Sequence, residues 1–236
     1  MRKLRIGALL FGFLFLLGAG GVFAARVAHI KAKPFIVDPT DSGIVSAAWV
    51  AQQGLPDRGK SNHALYLAKD GETAVDAKAG ARIVGVAGLV FDPAAFVIGF
   101  DFRNDGWSSA KSPRFEVVLA EDPATTFYFG AAAGTQTAVN ADWTKVSFTA
   151  AQATDVNGNA LAMPATGTID SIIIVFDEGT DATGGTGTPG FAYLDNIQIL
   201  DFPAIGKPGN VLKKAPRTPK QPKGPMGPQG PMSPGM

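Results

Sequence analysis

Between residues 39 and 201, apolar and polar positions alternate with a period of two in nearly every stretch long enough to show one. Phe96, Ile98, Phe100 and Phe102 share one face of such a stretch, with Val97, Gly99, Asp101 and Arg103 on the other. Phe115, Val117 and Leu119 alternate with Glu116, Val118 and Ala120, and Val146 and Phe148 with Lys145 and Ser147. Ile172, Ile174 and Phe176 alternate with Ile173, Val175 and Asp177; apolar side chains on both faces place this strand centrally in a sheet. Further strands are predicted over 44–52, 63–69, 82–86, 125–130 and 191–200. Turn signals separate them: Asp70-Gly71, Asp105-Gly106, Asn157-Gly158 and a glycine-rich run over 183–190. No segment carries a capped helical stripe. The pattern predicts an all-β chain, an antiparallel β-sandwich or jelly roll of roughly eight to ten short strands.

The two ends depart from this pattern. Arg2, Lys3 and Arg5 precede an apolar run over 8–17 that only Gly12 interrupts, and Val22-Phe23-Ala24 supplies small residues at a cleavage site. Residues 1–24 therefore read as a signal peptide with an N-terminal signal helix, and secretion as the destination. An uncleaved N-terminal anchor is the alternative, since the apolar stretch approaches the roughly 20 residues of a spanning helix. Residues 25–38 read as a short linker, 39–201 as the sandwich domain, and 202–236 as a disordered tail rich in Pro, Lys and Gly.

Charge sharpens that division. The net charge of +1 conceals a split: residues 25–201 hold 12 of the 21 Lys+Arg and all 20 Asp+Glu, whereas the tail has six basic residues and no acid. A basic tail of this kind suits electrostatic contact with an anionic envelope or polysaccharide. Its final residues include three collagen-like triplets from Gly224, too few for a triple helix, and the chain reads as a monomer. The chain has no Cys, which excludes disulfides, thiol chemistry and Cys-ligated metal sites. An acidic body without an aromatic–basic stripe argues against nucleic acid.

Three stretches together resemble the C-terminal half of galactose-binding-like jelly rolls. They are Asp142-Trp143-Thr144-Lys145-Val146-Ser147-Phe148, the run from Gly167 to Asp177, and Tyr193-Leu194-Asp195-Asn196-Ile197. The superfamily includes many carbohydrate-binding modules, and the resemblance implies a jelly-roll fold and carbohydrate binding without catalysis. The stretch from Phe100 to Gly130 is also similar to a secreted bacterial domain, a likeness that implies no activity.

Candidate chemistry is sparse. His29 and His63 sit in no nucleophile or metal motif, so the chain reads as a non-enzyme, although a β-sandwich glycoside hydrolase with paired carboxylates stays open. The parity of Tyr193, Asp195, Ile197 and Ile199 points Asp195 toward the core unless a bulge resets the register. The resemblance implies that Asp195 helps hold a structural Ca²⁺ with Asp38 or Asp41; the alternative is that Asp195 and Asn196 only pin backbone amides at a bulge. Trp49 and Trp143 read as core. Trp107 follows Arg103-Asn104-Asp105-Gly106 in a polar loop, where an indole plane suits the C–H face of a sugar ring. Trp107, Asn104 and Asp105 are thus candidate ligand contacts, with Arg114 either a fourth or the partner of a nearby acid. The expected function is a secreted, non-catalytic module for carbohydrate or another extracellular polymer. The alternative is a structural or matrix protein attached through its tail.

Overall fold

The computed structural model describes residues 30–56, 62–106, 112–181, 190–206 and 212–213. These form fourteen strands: β1 (Lys31–Val37), β2 (Val45–Ala51), β3 (His63–Lys69), β4 (Lys78–Val84), β5 (Val90–Phe91), β6 (Val97–Arg103), β7 (Arg114–Leu119), β8 (Asp122–Gly130), β9 (Thr135–Ala138), β10 (Trp143–Thr149), β11 (Gly167–Phe176), β12 (Phe191–Ile199), β13 (Phe202–Pro203) and β14 (Leu212–Lys213). One sheet has the order β1-β4-β11-β7-β8, with β5 on β11; the second runs β14-β2-β3-β12-β6-β10-β9, with β13 on β12. Every strand pairing is antiparallel. The protein is an all-β antiparallel sandwich.

Period-two alternation builds the core directly. Phe96, Ile98, Phe100 and Phe102 all face inward, as do Phe115, Val117 and Leu119 from the opposite sheet. Phe100 and Phe148 of the second sheet meet Phe115 of the first, with ring centroids 5.3 and 6.1 Å apart. Phe129 of β8 lies 5.9 Å from Phe148. Such pairs add about 0.5–1.5 kcal/mol each beyond their buried area and fix how the sheets interlock. Trp49 is core as expected, and its indole N–H donates to the Ala32 carbonyl at 2.8 Å, tying β2 to β1 across the sheets.

The domain extends beyond 39–201 at both ends. Residues 31–37, expected to be linker, form β1 in full register with β4, and Ile30 and Ala32 are buried. Pro34 is tolerated because β1 is the outermost strand of its sheet. Past 201, β13 pairs with β12, Ala204 is buried, Ile205 bridges to Lys31, and β14 covers the edge of β2. These residues close a backbone edge that the sandwich would otherwise expose. The signal segment, its predicted helix, Trp107 and the tail from 214 onward lie outside the described residues.

Candidate functional site

The turn after β6 is built from its own polar side chains. Asn104 accepts from the Thr144 hydroxyl at 2.8 Å and donates to the Ala141 carbonyl at 3.1 Å, which fastens the end of β6 to the start of β10. Arg103 donates to Asp105 at 2.6 Å and to the Gln53 side-chain oxygen at 2.7 Å. Its guanidinium carbon lies 3.8 Å from the centre of the Tyr193 ring. Gly106 is required here, because a Cβ would collide with the Phe191 ring. Arg103, Asn104 and Asp105, with Gln52, Gln53, Gly54, Asp142 and Trp143, line an open cleft of about 580 Å³.

Strand register extends this cleft into a lane of planar side chains on the outer face of the second sheet. Tyr66 pairs with Tyr193, Leu194 with Phe102, and Arg103 with Trp143, so Tyr66, Tyr193, Arg103 and Trp143 follow one another across four adjacent strands. The Tyr66 and Tyr193 rings are 5.0 Å apart, and Phe191 packs 6.3 and 5.7 Å from them. Burial, then the neighbouring Tyr193 and Asp70, raises the Tyr66 pKa. Trp143 is buried against Leu55 and Ala64, in agreement with its reading as a packing residue. The sequence named Asn104 and Asp105 but not Tyr66, Phe191 or Tyr193. Their assembly comes from pairing between strands far apart in sequence.

Asp195 lies on a bulge. The β12–β6 register shifts between Asp195 and Gln198, and Asn196 has φ 45°, a left-handed conformation that Asn tolerates. The bulge reverses the parity: Leu194 and Ile197 both face the core, and Asp195 sits on the outer face, 8% exposed. One carboxylate oxygen accepts from the Leu55 amide and the other from the Asn196 amide, both at 2.7 Å. Asn196 in turn donates to Asp101 at 2.7 Å. Pinning of backbone amides at a bulge is therefore what this carboxylate does in the structure.

The three carboxylates expected around one Ca²⁺ are not brought together. Asp38 accepts from the Ser42 amide and hydroxyl and the Gly43 amide, organising the turn that enters β2, and Asp41 lies within that turn. Asp195 lies level with Val50 at the other end of β2, since Leu194 pairs with Leu65 and Val50 with Ala64. Five residues of strand separate the two levels, about 17 Å. Among the described residues, no three His, Asp or Glu are placed to hold one metal ion.

Arg114 belongs to a different place. It starts β7 in the first sheet and pairs with acids: two bonds to Asp177 at 2.7 and 2.8 Å and two to Glu116 at 2.7 and 3.0 Å. Its guanidinium also lies 5.6 Å from the Tyr128 ring centre. Burial opposes its charge, but the bonds to Asp177 and Glu116 prevail and raise its pKa. Arg114, Tyr128, Asp155 and Asp177 line a cleft of about 510 Å³, on the opposite sheet from Asn104 and Asp105. Nearby, Lys69 turns inward from β3, and its ammonium donates to the carbonyls of Thr73, Val75 and Asp177 at 2.8, 2.6 and 2.8 Å.

No family model, curated protein or solved structure matches this chain.

Proposed function

We propose that the protein is a secreted, non-catalytic module that binds carbohydrate on the outer face of its second sheet, beside Arg103, Asn104 and Asp105. The observation that carries this reading is the lane formed by Tyr66, Tyr193 and Arg103, which opens onto a cleft lined by amide and carboxylate groups. Aromatic planes take the C–H faces of sugar rings, while fixed polar groups read hydroxyls. Asp105 and Gln53 are held in place by Arg103, so ordering them costs little on binding. The likeness of residues 142–197 to galactose-binding-like jelly rolls supports the same class by analogy.

The test is a screen of the full chain against glycans and insoluble polysaccharides, followed by titration of any hit with Tyr193→Ala and Asp105→Ala. Asp105 is 59% exposed in its side chain, so its replacement leaves packing intact. At least tenfold weaker binding in both, with melting confirming that each is folded, is the expected result. A specific hit unaffected by either variant would place the site elsewhere and overturn the assignment.

The charge split favours a second reading, in which the basic residues that follow the sandwich attach it to an anionic surface. Adhesion of that kind is abolished by salt and indifferent to Tyr193→Ala.

A further inference from the structure

The outer face of the first sheet carries a patch whose charge is opposite to that of the acidic body. β1 and β4 contain four basic residues, Lys31, Lys33, Lys78 and Arg82, and no acid. Their register sets all four on one face, with Lys31 opposite Val84, Lys33 opposite Arg82, Phe35 opposite Gly80 and Val37 opposite Lys78. The intervening Ala32, Ala79, Ala81 and Ile83 turn inward to the core. Among the described residues, none of the four cations has a salt bridge. Lys78 lies at one end of the patch, in a cleft shared with Asp76 and Glu178. Away from that end the flanking positions are apolar, Ile205 beside Lys31 and Ile173 beside Arg82.

Stability alone does not account for this arrangement. Like charges directly opposite one another in an antiparallel pair, as Lys33 and Arg82 are, oppose folding. Lysines on an outermost strand deter pairing with other chains, which suits Lys31 and Lys33 but not Arg82, because β4 is interior to its sheet. Three of the six exposed large hydrophobic side chains among the described residues also belong to this patch: Val37 at 40%, Val84 at 36% and Ile205 at 53%. Phe35 lies over β4, where a Cβ on Gly80 would strike its ring, and the Arg82 guanidinium carbon is 5.8 Å from the ring centre. Cations are thus interleaved with apolar side chains on one face.

We propose that the outer face of β1 and β4 rests on an anionic lipid surface, with Lys31, Lys33 and Arg82 at the headgroups and Val37, Val84 and Ile205 entering between them. Anionic headgroups attract Lys and Arg held close to them, and apolar side chains gain from the boundary between headgroups and acyl chains. A hydrated acidic polysaccharide would satisfy the cations but leave the three aliphatic side chains in water, so the apolar component selects lipid. The inference does not depend on the glycan reading. The lane of Tyr66, Tyr193 and Arg103 lies on the outer face of the other sheet, and a chain docked in this way presents it away from the membrane.

The chain has no Cys, so Val84→Cys takes an environment-sensitive fluorophore at one position in the full chain. Its emission is expected to shift to the blue with vesicles of phosphatidylglycerol and phosphatidylcholine, and to stay unchanged with phosphatidylcholine alone. The same fluorophore on Val139→Cys, just past β9 at the far edge of the second sheet, is expected to respond to neither. Lys33→Glu/Arg82→Glu keeps a like-charge pair at the same register, and melting checks that the fold is retained. In the Val84→Cys background it is expected to raise the lipid concentration for half the shift at least tenfold. A silent Val84 probe would overturn the proposal, including where the chain still sediments with anionic vesicles through its terminal sequences. An equal shift at Val139, a shift with phosphatidylcholine alone, or a shift indifferent to the double variant would overturn it equally. A shift with a soluble acidic polysaccharide and none with vesicles would assign the face to a polymer, against the proposal.

Discussion

Replacing Lys69 by Met tests how the two sheets are held at the end where Asp177 and the 70–77 connection meet. Lys69 is 1% exposed and shares its inward parity with Leu65 and Leu67. Its ammonium crosses from the second sheet to the first and ends on three backbone carbonyls. Burial lowers the lysine pKa from its ordinary value of 10.5, while Asp177, Asp181 and Asp76 act in the other direction. Methionine keeps the stem and leaves three carbonyls without their donor. At about 1.5 kcal/mol for each charged hydrogen bond, the loss is about 4–5 kcal/mol. Sparing an ammonium its desolvation returns part of that, for a net cost of about 3 kcal/mol. For a domain of this size that corresponds to a Tm lower by about 6–12 °C. Calorimetry of the full chain measures it, and hydrogen exchange should rise first at residues 72–79. A Tm drop of less than about 3 °C would refute the argument, because the three bonds would then contribute little beyond the cost of burying the charge.

Three further outcomes follow from other polar contacts of the fold. Burial raises the Asp177 pKa, but the hydrogen bond and charge of Arg114, then Ser112 and Lys69, outweigh it and leave it below its ordinary 3.8. A depressed folded pKa gives stability that is present above the unfolded value and lost as pH falls through the folded one. Melting followed from about pH 5 to about pH 2 should therefore show a destabilisation that is blunted in Arg114→Met; identical acid limbs would reject the pairing as its source. Asp195→Ala removes the acceptor of the Leu55 and Asn196 amides and should cost about 2–3 kcal/mol. Chelator should leave the melting of the unmodified chain unchanged, and a calcium-reversible fall in Tm would show instead that a metal is bound.

Much of the fold was legible because alternation is a local property. The inward faces of β6, β7, β10 and β11 follow from counting every second residue, and the structure buries those side chains. The same counting failed on β12, where a single left-handed residue, Asn196, reverses the parity after Leu194 and turns Asp195 outward. It also passed over β1: Lys31, Lys33 and Pro34 look like linker until β4 supplies the hydrogen bonds. Of the candidate site, the polar turn at Asn104 and Asp105 was visible as a loop signal; Arg114, open between a fourth contact and the partner of a nearby acid, pairs with Asp177 and Glu116, and β6 and β7 lie in different sheets.

The sequence alone determines a β-rich body with an acidic surface, a basic proline-rich terminus, and no thiol chemistry. Those properties depend on side-chain type and on spacing of a few residues, which no distant contact can alter. Tertiary structure decided which carboxylates share a site, which rings stack, and where the domain ends. Asp38 and Asp195 are separated by the length of β2, Tyr66 and Tyr193 meet 127 positions apart in the chain, and residues 202–206 and 212–213 join the sandwich rather than the tail. Each of these is fixed by backbone pairing between remote segments, whose register is set by the burial of whole faces rather than by any local pattern.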